Sequence, residues 1–257
     1  MIVSPTTVTA VILAGGFGTR IKQQLPDLPK PLAPVVGRPF LDWQLRYLAQ
    51  QGVRRSLLST GYLAEKVAAY ALNANIPQLH IECVAETEPL GTAGGFLNAV
   101  HGSQTSASPS AWLVLNGDSL IVTDYTVLMD ILNEPTVDGV ILGVNVDDAG
   151  RYGSLICDSQ GYLQHFAEKQ APAGGINSGV YLIGDRLVAD FPPQRPLSFE
   201  YDVFPALLSQ GARIKVHAVD APFLDIGTPA TLAQADRFIQ SQLQHLLAIA
   251  EDDGVRS

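Results

Sequence analysis

The sequence predicts an α/β fold: a mixed, mostly parallel sheet flanked by helices, with a small β-rich lobe carried on the same core. Three observations lead there. Apolar strand-like runs alternate with helix-like patterns through the first half of the chain. A glycine-rich stretch, Gly15-Gly16-Phe17-Gly18, follows directly on the first apolar run. Beyond Gly139 the alternation gives way to four short strand-like segments, most of them separated by glycine-containing turns.

Taken in order, residues 8–14 form a continuous apolar run ending in glycines, the pattern of a central parallel strand covered on both faces. Leu41, Leu45 and Leu48 recur at helical spacing, and Gly52 stops that helix. Strands are expected at 57–60, 80–85 and 111–116, and helices at 63–72, 94–100 and 123–133. The segments 140–146, 154–158, 163–168 and 177–183 predict an antiparallel or mixed extension. Thr228-Pro229 supplies an N-cap and a proline at the first helical position, so a long C-terminal helix is expected to run to about Ala250. The 257 residues suit one sizeable core and are short for two. One domain over 1–257 is therefore expected, with lobes at 1–138 and 139–227 and the helix at 228–250.

Composition narrows the function. With 47% hydrophobic and 16% charged residues the chain is too apolar to be disordered. No apolar run reaches the roughly 18 residues of a membrane helix. A net charge of −9 disfavours nucleic acid or an anionic membrane surface as partner. Cys83 and Cys157 lie far apart without metal-ligand spacing, which suits two buried thiols in a reducing compartment. The first ten residues lack the basic start of a signal peptide, and a cytoplasmic location is expected. A homodimer is the expectation from symmetry base rates alone.

The segment Leu13-Ala14-Gly15-Gly16-Phe17-Gly18-Thr19-Arg20 carries the most chemistry. Glycines let a backbone approach a ligand and aim its N–H groups at phosphate oxygens. A Walker A string is absent, and the third glycine of a dinucleotide fingerprint would fall at Ile21. What fits is a loop gripping a nucleoside triphosphate with an arginine, Arg20, where a P-loop has lysine. Pro29-Lys30-Pro31 sets a second cation on a stiff turn. The first 40 residues of this acidic chain hold Arg20, Lys22, Lys30 and Arg38 against Asp27 alone, a local excess suited to a small polyanion. An ordinary strand-to-helix turn with solvated cations is the alternative.

GGFGTR followed by PKP resembles the signature of the sugar-1-phosphate nucleotidyltransferases. The resemblance continues through Glu88-Pro89-Leu90-Gly91-Thr92-Ala93-Gly94, Leu115-Asn116-Gly117-Asp118, Arg151-Tyr152-Gly153, Glu168-Lys169, Asn177-Ser178-Gly179-Val180-Tyr181 and Asp225-Ile226-Gly227-Thr228-Pro229. It implies a Rossmann-like nucleotide-diphospho-sugar transferase fold whose β-rich lobe binds the sugar. The implied reaction is attack by a sugar 1-phosphate oxygen on the α-phosphorus of an NTP, with loss of pyrophosphate. Such a nucleophile is already an anion, so cations and in-line positioning do the work. The absence of a nucleophile elbow, a reactive-cysteine setting or ligand-spaced histidines agrees.

The resemblance also implies roles. Asp118 and Asp225 would hold Mg2+; Arg20 would neutralise the β- and γ-phosphates, and Lys30 the α-phosphate. Leu13, Ala14, Gly15, Gly16, Gly18, Thr19, Glu86 and Gly91 would bind the nucleotide. An ionised Glu86 could accept from guanine N1–H and the N2 amino group, which tilts toward GTP. Lys169 would hold the sugar phosphate, Glu168 and Asn177 the sugar hydroxyls, and Tyr152 and Gly153 would shape the pocket. Within the family the chain is most similar to D-glycero-D-manno-heptose 1-phosphate and mannose-1-phosphate guanylyltransferases. Ser198-Phe199-Glu200-Tyr201-Asp202 looks more like the heptose enzymes. Mannose 1-phosphate with GTP, or a UTP-dependent pair, is the alternative. The chain stops soon after the Asp225 motif, so no β-helix or acetyltransferase module is expected. A catalytically silent subunit would be expected to have lost one of Arg20, Lys30, Asp118, Lys169 or Asp225, and all five are present.

Overall fold

The computed structural model describes residues 2–104, 108–146, 153–168 and 174–247. The chain opens with β1 (Val8–Ala14), followed by a small hairpin, β2 (Pro34–Val35) and β3 (Arg38–Pro39). Helix α1 (Phe40–Gln50), β4 (Arg55–Thr60), α2 (Ala64–Asn73), β5 (His80–Ala85), α3 (Thr92–Gly102) and β6 (Ala111–Asn116) complete the first half. These elements agree with the predicted ones to within two residues at nearly every end. Strands β5, β4, β1 and β6 lie side by side and parallel, with Val11 opposite both Leu57 and Val114.

β1 reads as an unbroken apolar run because both its faces are covered. Ala10 and Ile12 pack on the side of α1, through Leu41, Leu45 and Leu48. Val11 packs on the other side, with Ala93, Phe96 and Leu97 of α3. A half-exposed strand would have alternated instead.

The second half continues with β7 (Ser119–Ile121), α4 (Thr126–Leu132), β8 (Gly139–Val146), β9 (Gly153–Cys157), β10 (Leu163–Glu168) and β11 (Gly174–Gly184). Then come α5 (Phe204–Ser209), β12 (Ile214–Val219), β13 (Phe223–Asp225), α6 (Pro229–Leu232) and α7 (Ala235–Leu246). β11 runs antiparallel to β6 and to β8, and β12 pairs parallel to β8. β9 and β10 form a hairpin that meets β11 at Ile176. Among the described residues the two halves thus share one nine-stranded sheet. β7 and β13 form a separate antiparallel ladder.

Six elements were not predicted: β2, β3, β7, β12, β13 and α5. β7 and β13 have three residues each, too few for a period to register. The predicted single C-terminal helix is two. Thr228 and Thr231 satisfy each other in a capping box that tightens the first turn. Gln234 N–H then donates to Thr231 O, three residues back, so the axis is reset before α7 begins. Residues 248–250 of the expected helix lie outside the described residues. Cys83 and Cys157 are free thiols, half-buried rather than buried, and burial pushes Cys83 up to about 11. No helix among the described residues is long and apolar enough to cross a membrane.

Helix α1 is fixed at its start by a buried carboxylate. Asp42 accepts from Arg46 Nε at 2.6 Å, Arg38 Nη1 at 3.3 Å and Tyr70 Oη at 2.8 Å, tying the β2–β3 hairpin, α1 and α2 together. Its side chain is 8% exposed, so removal would leave Arg46 short of its counter-charge in a poorly solvated place. Asp42→Ala is expected to cost about 3 kcal/mol of unfolding free energy, read by urea denaturation.

Candidate active site

β1, β4, β5 and β6 all end along one edge of the sheet, and an open cavity of about 330 Å3 lies there. Ligands of open α/β sheets bind at this carboxyl edge. The cavity wall includes Leu13, Ala14, Gly15 and Gly16 after β1, Lys30 from the turn that follows, and Glu86 and Gly91 after β5. Asn116, Gly117 and Asp118 after β6 close it. Most of the predicted nucleotide-binding residues therefore share one cavity; Gly18 and Thr19 lie in the same loop just beyond its wall.

Gly15 is required where it stands. A Cβ there would sit 2.6 Å from Glu86 Oε1, so a side chain would evict the carboxylate. Burial raises the pKa of Glu86, partly offset by a hydrogen bond from Leu90 N–H. Thr19–Ile21 forms a 3-10 turn anchored by buried Ile21, with Arg20 exposed. The guanidinium of Arg20 lies beside the Asp225–Gly227 turn, Nη2 being 3.5 Å from where a Cβ on Gly227 would sit.

The two predicted metal carboxylates do converge. In the β7–β13 ladder Asp225 pairs with Ser119, the residue after Asp118. Ile226 N–H donates to Asp118 O at 2.8 Å, locking the two chains at that point. Lys30 Nζ is 2.6 Å from Asp118 Oδ2. Asp225 accepts from Gly227 N–H. Even so, burial first and the charge of Asp118 second raise its pKa, against the smaller pull of that bond, Lys30 and Arg20. A carboxyl raised by burial and further by a second carboxylate sits where a cation is stabilising. Among the described residues no three His, Cys, Asp or Glu side chains converge as a metal cage. A pair of hard carboxylates instead fits an ion such as Mg2+ that keeps waters and takes phosphate oxygens.

On the far side of the sheet junction, β11 bulges between Asn177 and Val180. Gly179 has φ +78°, and a Cβ on it would collide with the Asn116 side-chain amide. The bulge thus brings β11 against the loop that carries Asp118. Asn177, predicted to bind the sugar, here braces the bulge. Its Nδ2 donates to Tyr181 Oη at 2.7 Å and its Oδ1 accepts from Gly179 N–H at 3.0 Å, which leaves one amide N–H for another acceptor. Tyr181 Oη donates to Glu200 Oε1 at 2.9 Å, and Ser198 Oγ to Glu200 Oε2 at 2.9 Å. Gly153 and Glu168 pair across the β9–β10 hairpin, which puts them at one end of it. Tyr152 and Lys169 lie outside the described residues.

Several side chains at this site went unread in the sequence. Ser59, the last but one residue of β4, lines the cavity and donates to Gly95 O at 3.0 Å. Phe17 and Tyr62, ring centroids 5.9 Å apart, wall a smaller adjoining hollow beside Glu86. Gln44 holds the Asp118 loop from behind. It had a legible signal, being a polar residue at helical spacing within the Leu41-Leu45-Leu48 stripe.

Residues 9–242 match the family described as nucleotidyl transferase. The chain belongs to that family. This nucleotidyl transferase is 34% identical over 225 residues to mannose-1-phosphate guanylyltransferase of Mycobacterium tuberculosis, covering 86% of this chain and 62% of the relative. It is 34% identical over 223 residues to D-glycero-alpha-D-manno-heptose 1-phosphate guanylyltransferase of Campylobacter jejuni, covering 86% and 95%. The chain thus spans less than two thirds of the mannose relative and nearly all of the heptose one. Its structure resembles that of HddC from Yersinia pseudotuberculosis complexed with GMP-PN, with a TM-score of 0.76 and 34% identity over 89% of this chain and 98% of that one. The expected family and the expected fold are both borne out.

If Asp118 contributes to the raised pKa of Asp225, removing its charge must lower it. In Asp118→Asn the Asp225 carboxyl should titrate at lower pH than in the unmodified protein while burial still holds it above an ordinary aspartate, as read by carboxyl 13C NMR.

Proposed function

We propose that the chain is a guanylyltransferase joining GTP and D-glycero-D-manno-heptose 1-phosphate into GDP-heptose with release of pyrophosphate. The observation that carries the reaction class is the convergence of Lys30, Asp118 and Asp225 at the carboxyl edge beside the glycine-rich loop. Support for the heptose comes from Ser198-Phe199-Glu200-Tyr201-Asp202, which looks more like the heptose enzymes, and from 34% identity to the heptose 1-phosphate guanylyltransferase of Campylobacter jejuni. Equal identity to the mycobacterial mannose enzyme favours mannose 1-phosphate as the second reading.

The chemistry is a displacement at phosphorus. An oxygen of the sugar phosphate forms a bond to the α-phosphorus, and the bond to the bridging oxygen of the β-phosphate breaks. Both partners are polyanions, so the protein's task is to neutralise and align them. Lys30, already extended into the cavity toward Asp118, meets the α-phosphate where charge builds. Arg20 and the N–H groups of Gly16 to Thr19 take the β- and γ-phosphates and then the leaving pyrophosphate. Lys169 holds the sugar phosphate, and Glu168, Asn177, Tyr152 and Gly153 surround the sugar. Glu86, between the β1 and β4 loops, accepts from the base. Asp118 and Asp225 would hold Mg2+, which when bound withdraws charge from the α-phosphate. The reading places the reaction in the cytoplasm, where nucleoside triphosphates are made.

Pyrophosphate release is the direct test, scanning GTP, ATP, UTP, CTP and dTTP against heptose, mannose, glucose and N-acetylhexosamine 1-phosphates. A signal confined to GTP with the heptose phosphate is expected. Another productive pair would overturn the substrates and keep the reaction, whereas silence from folded protein would favour a nucleotide-sugar-binding subunit. With the productive pair, Asp118→Asn should lower kcat by about 10²-fold with the melting temperature held. Lys169→Ala should raise the KM for the sugar phosphate more than that for the nucleotide; equal rises would remove it from the sugar site.

A further inference from the structure

We infer that Gln44 is a positioning residue, setting the backbone that aims Asp118 into the cavity. The inference rests on the role proposed above for Asp118. Gln44 sits on α1 with 1% of its surface exposed and touches no cavity-lining side chain by hydrogen bond. Its single Nε2 donates to Asn116 O and to Ser119 O, both at 2.8 Å. Those two carbonyls bracket Gly117 and Asp118. Of the two carbonyls between them, Asp118 O is taken by Ile226 N–H at 2.8 Å. On its opposite side the turn is tied down by Gly117 N–H donating to Leu13 O at 3.0 Å and by Ser119 Oγ donating to Ser178 O at 3.1 Å.

The chemistry of the grip is specific. Two carbonyl oxygens facing one point repel each other, and only a group with two divergent N–H donors and no charge to desolvate satisfies both. A primary amide is that group, whereas a carboxylate would add a third acceptor. The other end of the side chain shows what the arrangement gives up: Gln44 Oε1 is buried with no hydrogen-bond partner among the described residues. A glutamine chosen only to fill the core would be expected to satisfy both ends, since buried polar atoms rarely go unpaired. Here the donor end is satisfied twice at the acceptor's expense. Asp42 and its arginines hold the start of the same helix, so the grip starts from a fixed platform.

Gln51 provides the control. It lies two turns further on, just past the end of α1, donates to Thr123 O at 3.4 Å and accepts from Tyr125 N–H at 3.0 Å, away from the cavity. Gln44→Met, which keeps the volume and loses the donors, is to be compared with Gln51→Met and the unmodified enzyme. Gln44→Glu, with at most one donor, repeats the test should the methionine variant not fold. Two readouts are used: steady-state kinetics with the productive pair, and binding of Mn2+ alone, followed by the electron paramagnetic resonance signal of the free ion.

A displaced carboxylate should lower kcat about 10²-fold in Gln44→Met, with the KM for the sugar phosphate within about twofold, because misplacement near the reacting atoms costs rate before it costs binding. Mn2+ binding should weaken about tenfold, while Gln51→Met should leave both readouts unchanged even where it melts at a similarly reduced temperature. Unaltered kcat and Mn2+ affinity in Gln44→Met, or an equal loss in Gln51→Met, would reduce Gln44 to a core residue. An unmodified enzyme that binds Mn2+ yet forms no nucleotide sugar would overturn the proposed function alone, and the Mn2+ ratio between variant and unmodified protein would then decide Gln44. Failure of the unmodified protein in both assays would overturn both.

Discussion

Asp118 and Asp225 stand side by side because β7 and β13 pair in a register that puts Asp225 opposite Ser119. Two carboxylates at a partly buried edge repel: burial raises the pKa of Asp225, and the charge of Asp118 raises it further. The arrangement is tolerable only with positive charge at hand. Lys30 provides it for Asp118 at 2.6 Å, and Arg20 lies beside the turn that follows Asp225. Much of the surrounding structure serves this contact: the ladder that brings the carboxylates together, the lysine turn that reaches across 88 residues of sequence, and the helix that grips the loop from behind.

The same edge couples the first half of the chain to the second. β11 pairs with β6 over its second part and with β9 at Ile176, and its bulge at Ser178-Gly179 pushes it against Asn116. A second link crosses the other face. Leu197 donates to Leu90 O at 2.8 Å and accepts from Ala93 and Gly94, while Phe199 N–H donates to Thr92 Oγ1 at 3.0 Å. Glu200, in the same segment, reaches Tyr181 and through it Asn177. The stretch whose resemblance pointed toward heptose enzymes is therefore bonded both to the segment that follows Glu86 and to β11. A change at one end has a path of hydrogen bonds to the other.

Much of the first half was legible in the sequence because its signals are local. β1 shows its two-sided burial in an unbroken apolar run, and α1 shows its buried stripe in Leu41, Leu45 and Leu48. The glycine loop, Arg20 and Lys30 were legible for the same reason: strand, turn and cation follow one another within a few residues. The three-residue strands were not, since their partner is about 100 residues away and no period can develop. The split of the C-terminal helix also escaped, because both threonines favour a helix start and only their mutual bonding closes it early.

By itself the sequence determined the α/β class and the glycine-rich loop with its two cations, since spacing along a strand or a turn fixes neighbours only a few ångströms apart. The tertiary structure alone decided which carboxylates meet. It also decided that Asn177 braces a bulge, and that a glutamine inside an apolar stripe holds the Asp118 loop by two carbonyls. Each of these depends on a contact between segments remote in the chain. Hydrogen-bond partners of that kind are selected by sheet register and helix packing, which no short stretch of residues encodes.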